Sequence, residues 1–138
     1  MFPGFVPAGV GIHFEQKKVF FSSSNGSVWV LDKSQGFVVP PPRVIYSNRL
    51  GSPAALAVDW LFNHLYIAEH HHIQRCDLDG LNCRIVIQSL VDRPEDVHVD
   101  PCNGYLFWSV YGPEQGLYRA DLADIQDGDP IQPGPPIF

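Results

Sequence analysis

Residues 53–59, Pro53-Ala54-Ala55-Leu56-Ala57-Val58-Asp59, lead to Tyr66-Ile67-Ala68-Glu69 and Ile73-Gln74-Arg75-Cys76-Asp77, and this stretch decides the fold because the chain repeats it on both sides. Upstream stands Pro7-Ala8-Gly9-Val10-Gly11-Ile12-His13, and downstream Pro94-Glu95-Asp96-Val97-His98-Val99-Asp100. In each copy the proline lies six residues before a His or Asp. The second element recurs in register as Phe20-Phe21-Ser22-Ser23 and Phe107-Trp108-Ser109-Val110. The third recurs as Val28-Trp29-Val30-Leu31-Asp32 and Leu117-Tyr118-Arg119-Ala120-Asp121. A fourth has two copies, Arg43-Val44-Ile45-Tyr46-Ser47 and Arg84-Ile85-Val86-Ile87. The prolines are spaced 46 and 41 residues apart, the period of a four-stranded propeller blade, roughly 40 to 45 residues.

Each element is short, alternating or continuously apolar, and rich in Val, Ile, Phe, Tyr and Trp, which suits half-buried or buried strands. Asn25-Gly26 and Asp79-Gly80 fall between strand candidates, where tight hairpins favour positive φ. Pro40-Pro41-Pro42 reads as a stiff, extended connection into the fourth strand of the first repeat. The expected fold is all-β: about three four-stranded antiparallel blades of a propeller, with the ring incomplete. The repeats are assigned to 7–52, 53–93 and, in part, 94–122, after an N-terminal extension 1–6. Residues 123–138 run through Asp127-Gly128-Asp129-Pro130 to Pro133-Gly134-Pro135-Pro136 without a strand signal and are expected to form an unpacked Pro/Gly-rich tail or linker.

The pattern Pro-x-x-apolar-small-Val-Asp, Leu-Tyr-x-x-acid, Ile-x-Arg-x-Asp-Leu-Asp-Gly, best carried by residues 53–92, resembles the YWTD (LDL-receptor class B) repeat. Ala57-Val58-Asp59-Trp60 to Asn63-His64-Leu65-Tyr66, followed by Asp77-Leu78-Asp79-Gly80-Leu81-Asn82-Cys83-Arg84, is also similar to the divergent ectodomain propellers of Sevenless/Ros receptor tyrosine kinases. The resemblance implies a closed six-bladed ring within a large cell-surface receptor that binds protein ligands. None of the three tetrads reads Tyr-Trp-Thr-Asp, and the terminal acid survives only as Glu69, which puts the family's inter-blade hydrogen bonding at that position in question. Three blades do not close a ring and leave edge strands open, so the chain is expected to be a fragment or truncated form whose partners include missing blades or neighbouring domains.

Cys76 and Cys83 flank the turn Asp77–Asn82, and an antiparallel hairpin would bring them within bridging distance. A disulfide is expected in an oxidising compartment, two buried free thiols being the alternative. Cys102 has no assigned partner. Asn25-Gly26-Ser27 is an N-glycosylation sequon on an expected hairpin tip, although any Asn-Gly turn followed by serine makes one by chance. Asp59 and Asp100 are expected to close strands by binding amides of the following turn, with His13 in their place in a looser first repeat. Tyr66, Asp77, Gly80, Phe107, Trp108 and Asp121 complete the repeat-structural set, and most of Trp29, Trp60, Trp108, Phe20, Tyr66 and Phe107 are expected in blade cores. His70-His71-His72 could attract a metal or sense endosomal pH, but adjacent side chains diverge, and the run is read as neither a metal nor a cofactor site.

The 138 residues contain 45% apolar and 17% charged residues, ordinary globular usage. Fifteen acidic and nine basic residues give a net charge of −6, which disfavours nucleic acid and anionic membrane as partners. Met1-Phe2-Pro3-Gly4 lacks the charged start and apolar run expected of a signal peptide, no stretch of 18 or more apolar residues offers a spanning helix, and nothing in residues 1–138 resembles a nucleotide loop or a kinase catalytic loop. The functional expectation is a non-catalytic, extracellular receptor segment that binds a protein ligand or acts as a spacer. The alternative is part of a six-bladed propeller hydrolase such as a calcium-dependent lactonase, which would need a convergent oxygen ligand set; Glu69, Asp59 and Asp100 are too few and repeat-equivalent.

Overall fold

The computed structural model describes residues 7–34, 36–48 and 55–138. The N-terminal extension 1–6 and the expected boundary between the first two repeats, with its anchor Pro53, lie outside them.

Three antiparallel sheets form from the repeats. The first contains β1 (Pro7–His13), β2 (Lys18–Ser23), β3 (Ser27–Asp32) and β4 (Arg43–Ser47), and the second β5 (Ala55–Asp59), β6 (His64–Ala68), β7 (Ile73–Asp77) and β8 (Arg84–Ile87). The third has β9 (Asp96–Asp100), β10 (Tyr105–Val110) and β11 (Gly116–Asp121). Each of the first two is ordered as in sequence, a four-stranded meander, while the third holds three strands. This is the expected all-β propeller architecture with an unclosed ring, and β1, β5 and β9 lie side by side as the inner strands.

The core lies between sheets. Phe20, Val28, Val30, Leu56, Val58, Leu65 and Ile67 fill the seam between the first and second blades. Ala57, Tyr66, Ile73, Val86, Ile87, Val97, Leu106, Trp108, Tyr118 and Ile125 fill the seam between the second and third. The middle blade is therefore apolar on both faces, and β5 is buried at every residue. That matches a strand packed on both sides, where polar alternation gives way to a continuous apolar run.

Residues 123–138 are not an unpacked tail. The Arg75 guanidinium donates to the carbonyls of Ile125 (3.2 Å) and Gln126 (2.9 Å), and Arg84 donates to those of Gly128 (2.7 Å) and Ile125. Ile125 is buried in the second seam, and Ile131 forms a parallel bridge to Ile87 on the outer edge of β8. Ile137 and Phe138 then hydrogen-bond the backbone of Leu117 on β11. Two forked guanidiniums capture carbonyls that a Pro/Gly-rich chain leaves without internal partners, and the tail covers an edge that would otherwise remain open.

Candidate functional site: blade seams and the turn face

The turn acids act on backbone amides. Asp59 is buried, and its Oδ1 accepts from Leu61 N–H (3.0 Å) and Phe62 N–H (2.9 Å). Asp100 accepts from Asn103 N–H (3.3 Å) and Asn103 Nδ2 (2.9 Å). His13 reproduces the same device: its Nδ1 accepts from Gln16 N–H (3.1 Å), which leaves the proton on Nε2 to donate to Asn63 Oδ1 at 2.8 Å. The first blade is thereby tied to the second through the residue expected to loosen it.

Glu69 makes the inter-blade bonds that its divergent tetrad put in question. Its side chain is fully buried at the end of β6. Oε1 accepts from the Tyr46 hydroxyl and from Gln74 Nε2 (2.7 Å), Oε2 accepts from Asn48 Nδ2 (2.5 Å), and His72 Nε2 lies 3.7 Å from Oε2. Tyr46 and Asn48 belong to the first blade, so a buried carboxylate with three donors bridges the seam, the arrangement such a charge needs. Burial, and then the Glu69 carboxylate, push the Tyr46 phenol up.

In the second seam the repeat-equivalents of Tyr46 and Glu69 are Ile87 and Val110, which pack in the apolar cluster. The polar pair has been replaced on both sides at once. Trp108 stacks on Tyr118 with centroids 5.7 Å apart, while Phe107 is half-buried with its edge against Tyr105 (5.9 Å). Burial pushes Tyr66 up to about 12. Trp60 departs from the core expectation: it lies in the turn after β5 and is exposed, as are Leu61 and Phe62.

Cys76 and Cys83 form a disulfide across the β7–β8 hairpin, with S–S 2.05 Å and Cα–Cα 4.1 Å; Cys102 is a free, exposed thiol. Asp77 Oδ2 accepts from Asn82 Nδ2 (2.7 Å). Gly80 adopts φ +81°, and a Cβ there would lie 1.9 Å from the Ile45 carbonyl oxygen of the first blade. Asp121 is exposed, and its side chain does not cap the short 3₁₀ turn Leu122–Asp124 that follows it. Asn25 is exposed in the β2–β3 turn, its side-chain oxygen accepting from Ser27 N–H (3.2 Å), with Gly26 at φ +88°.

The His70 and His71 rings pack against each other, centroids 5.0 Å apart and tilted by 41°, while His72 turns to a different partner. His71 Nδ1 lies 3.1 Å from the Leu90 carbonyl, and His72 faces Glu69. Among the described residues no group of three or more His, Cys, Asp or Glu is arranged to hold a metal ion, and no helix is long and apolar enough to cross a membrane.

No protein-family model matches the chain. It is 30% identical over 122 residues to the proto-oncogene tyrosine-protein kinase ROS of Gallus gallus, covering 86% of this chain and 5% of the kinase. Against the low-density lipoprotein receptor-related protein 5 of Mus musculus it is 28% identical over 108 residues, covering 68% of the chain and 6% of the relative. A chain in the crystal structure of the nidogen/laminin complex superposes with a TM-score of 0.78 at 21% identity, over 88% of this chain and 46% of that one. This chain belongs to the YWTD-type β-propellers. Its place is extracellular, the compartment of the receptor ectodomains it matches and one in which disulfides persist. The YWTD-type blades here carry the inter-blade acid at one seam only, and the chain spans about 5–6% of the length of the two curated relatives named above.

The sequence alone missed three features: the His13–Asn63 tie, the apolar swap at the second seam and the arginine clamp on residues 125–128. The first had a signal, since a histidine in the aspartate position keeps one acceptor nitrogen. The clamp had none.

Proposed function

We propose that this YWTD-type segment is a protein-binding module of a Ros/Sevenless-like receptor ectodomain, without chemistry of its own, and that it binds through the end of the blades bearing the β1–β2, β5–β6 and β3–β4 connections. The observation that carries this reading is the apolar character of that end. Phe14, Trp60, Leu61 and Phe62 are exposed there, as are Phe37 and Val38. The His13–Asn63 bond holds the first two turns side by side, and Phe62 continues into a groove with Tyr66, Arg75, Asn103 and Leu122. Solvent-facing apolar groups gathered at one end, with aromatic anchors among them, are what protein interfaces use. The meander places the Asn25 turn at the opposite end, so a glycan there would leave this face uncovered.

Capture of secreted and cell-surface proteins on immobilised chain tests the reading. Retention of a partner that is lost in Trp60→Ser and Phe62→Ser, yet kept in Tyr111→Ser at the other end, supports it. A spacer would retain no partner, or would retain the same proteins in all three variants.

A further inference from the structure

The third blade is one strand short. In the first two blades the fourth strands, β4 and β8, pair along the outer edges of β3 and β7. On β11 the corresponding edge, the one away from β10, is hydrogen-bonded among the described residues only by Ile137 and Phe138. Leu117 is the repeat-equivalent of Val28 and Ile73, and at both of those the register with the fourth strand shifts by a bulge. Ile137 N–H donates to the Leu117 carbonyl at 2.8 Å, and Leu117 N–H donates to the Phe138 carbonyl at 3.1 Å. Two tail residues thus oppose one residue of β11, the count that a bulge has. The tail occupies one end of a fourth-strand slot.

Its hold there is slight. Phe138 is 93% exposed and Ile137 48%, so little apolar area is buried, and Pro135 and Pro136 lack the N–H groups that would carry a ladder further. Backbone direction alternates along a paired strand, so Arg119 turns its N–H and carbonyl to the same side as Leu117. Among the described residues neither group of Arg119 has a partner on that side, and an edge in this state is a template for another strand.

We propose that the outer edge of β11 docks an extended, β-branched segment of a protein partner, which adds as the fourth strand of the third blade and displaces Ile137 and Phe138. The two filled copies of the slot define the chemistry of its occupant: Arg43-Val44-Ile45-Tyr46 and Arg84-Ile85-Val86-Ile87, one basic residue and then three apolar ones. Backbone bonds to Leu117 and Arg119 supply the hold, and the side chains supply the choice of segment. This rim of the third blade is a different surface from the turn end that bears Trp60 and Phe62.

The test adds a capped peptide with the sequence of β8 and its next residue, Arg84-Ile85-Val86-Ile87-Gln88, to the whole 138-residue chain and follows the backbone amide resonances. Saturable shifts at Leu117 and Arg119, with release of Ile137 and Phe138, are expected. The same peptide carrying Ile85→Pro and Ile87→Pro keeps its apolar mass but loses two donors, and it should bind about tenfold more weakly. Removing Ile137 and Phe138 from the chain should tighten binding about three- to tenfold, because the slot is then free of its competitor. Equal binding of the proline peptide overturns the proposal, as does the absence of shifts at millimolar peptide. Shifts confined to β7 overturn it too, since the peptide would then have exchanged with β8, and so does concentration-dependent pairing of β11 between two copies of the chain. The two peptides on the unaltered chain decide the matter even where the shortened chain fails to fold.

Discussion

The inner strands of the first two blades occupy the same repeat positions and meet opposite environments. Val10 is 65% exposed, whereas its equivalents Leu56 and Val97 are 4% and 2% exposed; Ile12 is exposed and Val58 buried. The side chains are of one kind, so the difference comes from what packs outside them. The middle blade lies between two others, is bridged by Cys76–Cys83 and presents Arg75 and Arg84 to the tail, while among the described residues β1 has a blade on one side only. Apolar pattern in a repeat therefore specifies the seam, and a seam buries a residue only where the next blade is present.

The largest effect should come from forcing the first two blades apart at Gly80, where an added Cβ would meet the Ile45 carbonyl oxygen at 1.9 Å. Gly80→Ala places a methyl on the Ile45 carbonyl oxygen at positive φ and should cost about 4 kcal/mol or more, read as the urea unfolding free energy. Gly104→Ala, at φ +80° with nothing within 4 Å of the added carbon, should cost only about 1–2 kcal/mol. Equal losses would mean that the conformation, and not the seam, sets the cost.

Truncating equivalent inner-strand residues sharpens the comparison directly. Leu56→Ala should cost about 3 kcal/mol, and Val10→Ala no more than about 0.5 kcal/mol. A Val10→Ala loss approaching that of Leu56→Ala would show that β1 is covered in solution.

The disulfide is next. Its two cysteines are seven residues apart, and chain entropy for so short a loop gives about 2.5 kcal/mol. Reductant should lower the urea midpoint and speed amide exchange in β7 and β8, leaving β2 and β3 little changed; a uniform acceleration would deny the middle blade its separate stiffness.

Glu69→Gln keeps the shape of the first seam but turns an acceptor-only group into one carrying an NH2 against three donors. It should cost about 2 kcal/mol, and Tyr46→Phe about 1 kcal/mol. A neutral Glu69→Gln would show that the carboxylate adds nothing over packing.

The smallest effect is with pH. Burial, and then Arg75, hold His64 below its ordinary 6.5. Between that lowered value and 6.5 the unfolded chain binds the extra proton, so this contribution is present above about pH 6.5 and is lost as the pH falls through the window. His64→Gln should flatten that part of the stability profile; an unchanged slope would assign it to other histidines.

The sequence by itself determined the strands and their order, because strand identity follows from local alternation, β-branched and aromatic content and turn residues, all carried within a few positions. The β4 and β8 limits, the Asn25-Gly26 and Asp79-Gly80 hairpins and the Cys76–Cys83 pairing were legible for that reason, and so was the backbone-binding role of Asp59. Only the tertiary structure decided what lies across a seam. Whether Glu69 finds donors depends on Tyr46 and Asn48, more than twenty positions away in another sheet. Trp60, apolar and aromatic like the core residues, is exposed because the turn after β5 carries it out of the sheet. Residues 123–138 offer no pattern of their own, and they pack because Arg75 and Arg84, some forty to fifty positions earlier, present donors that free carbonyls satisfy. Local propensity is written residue by residue, whereas burial and hydrogen-bond partnership belong to pairs that only the folded chain brings together.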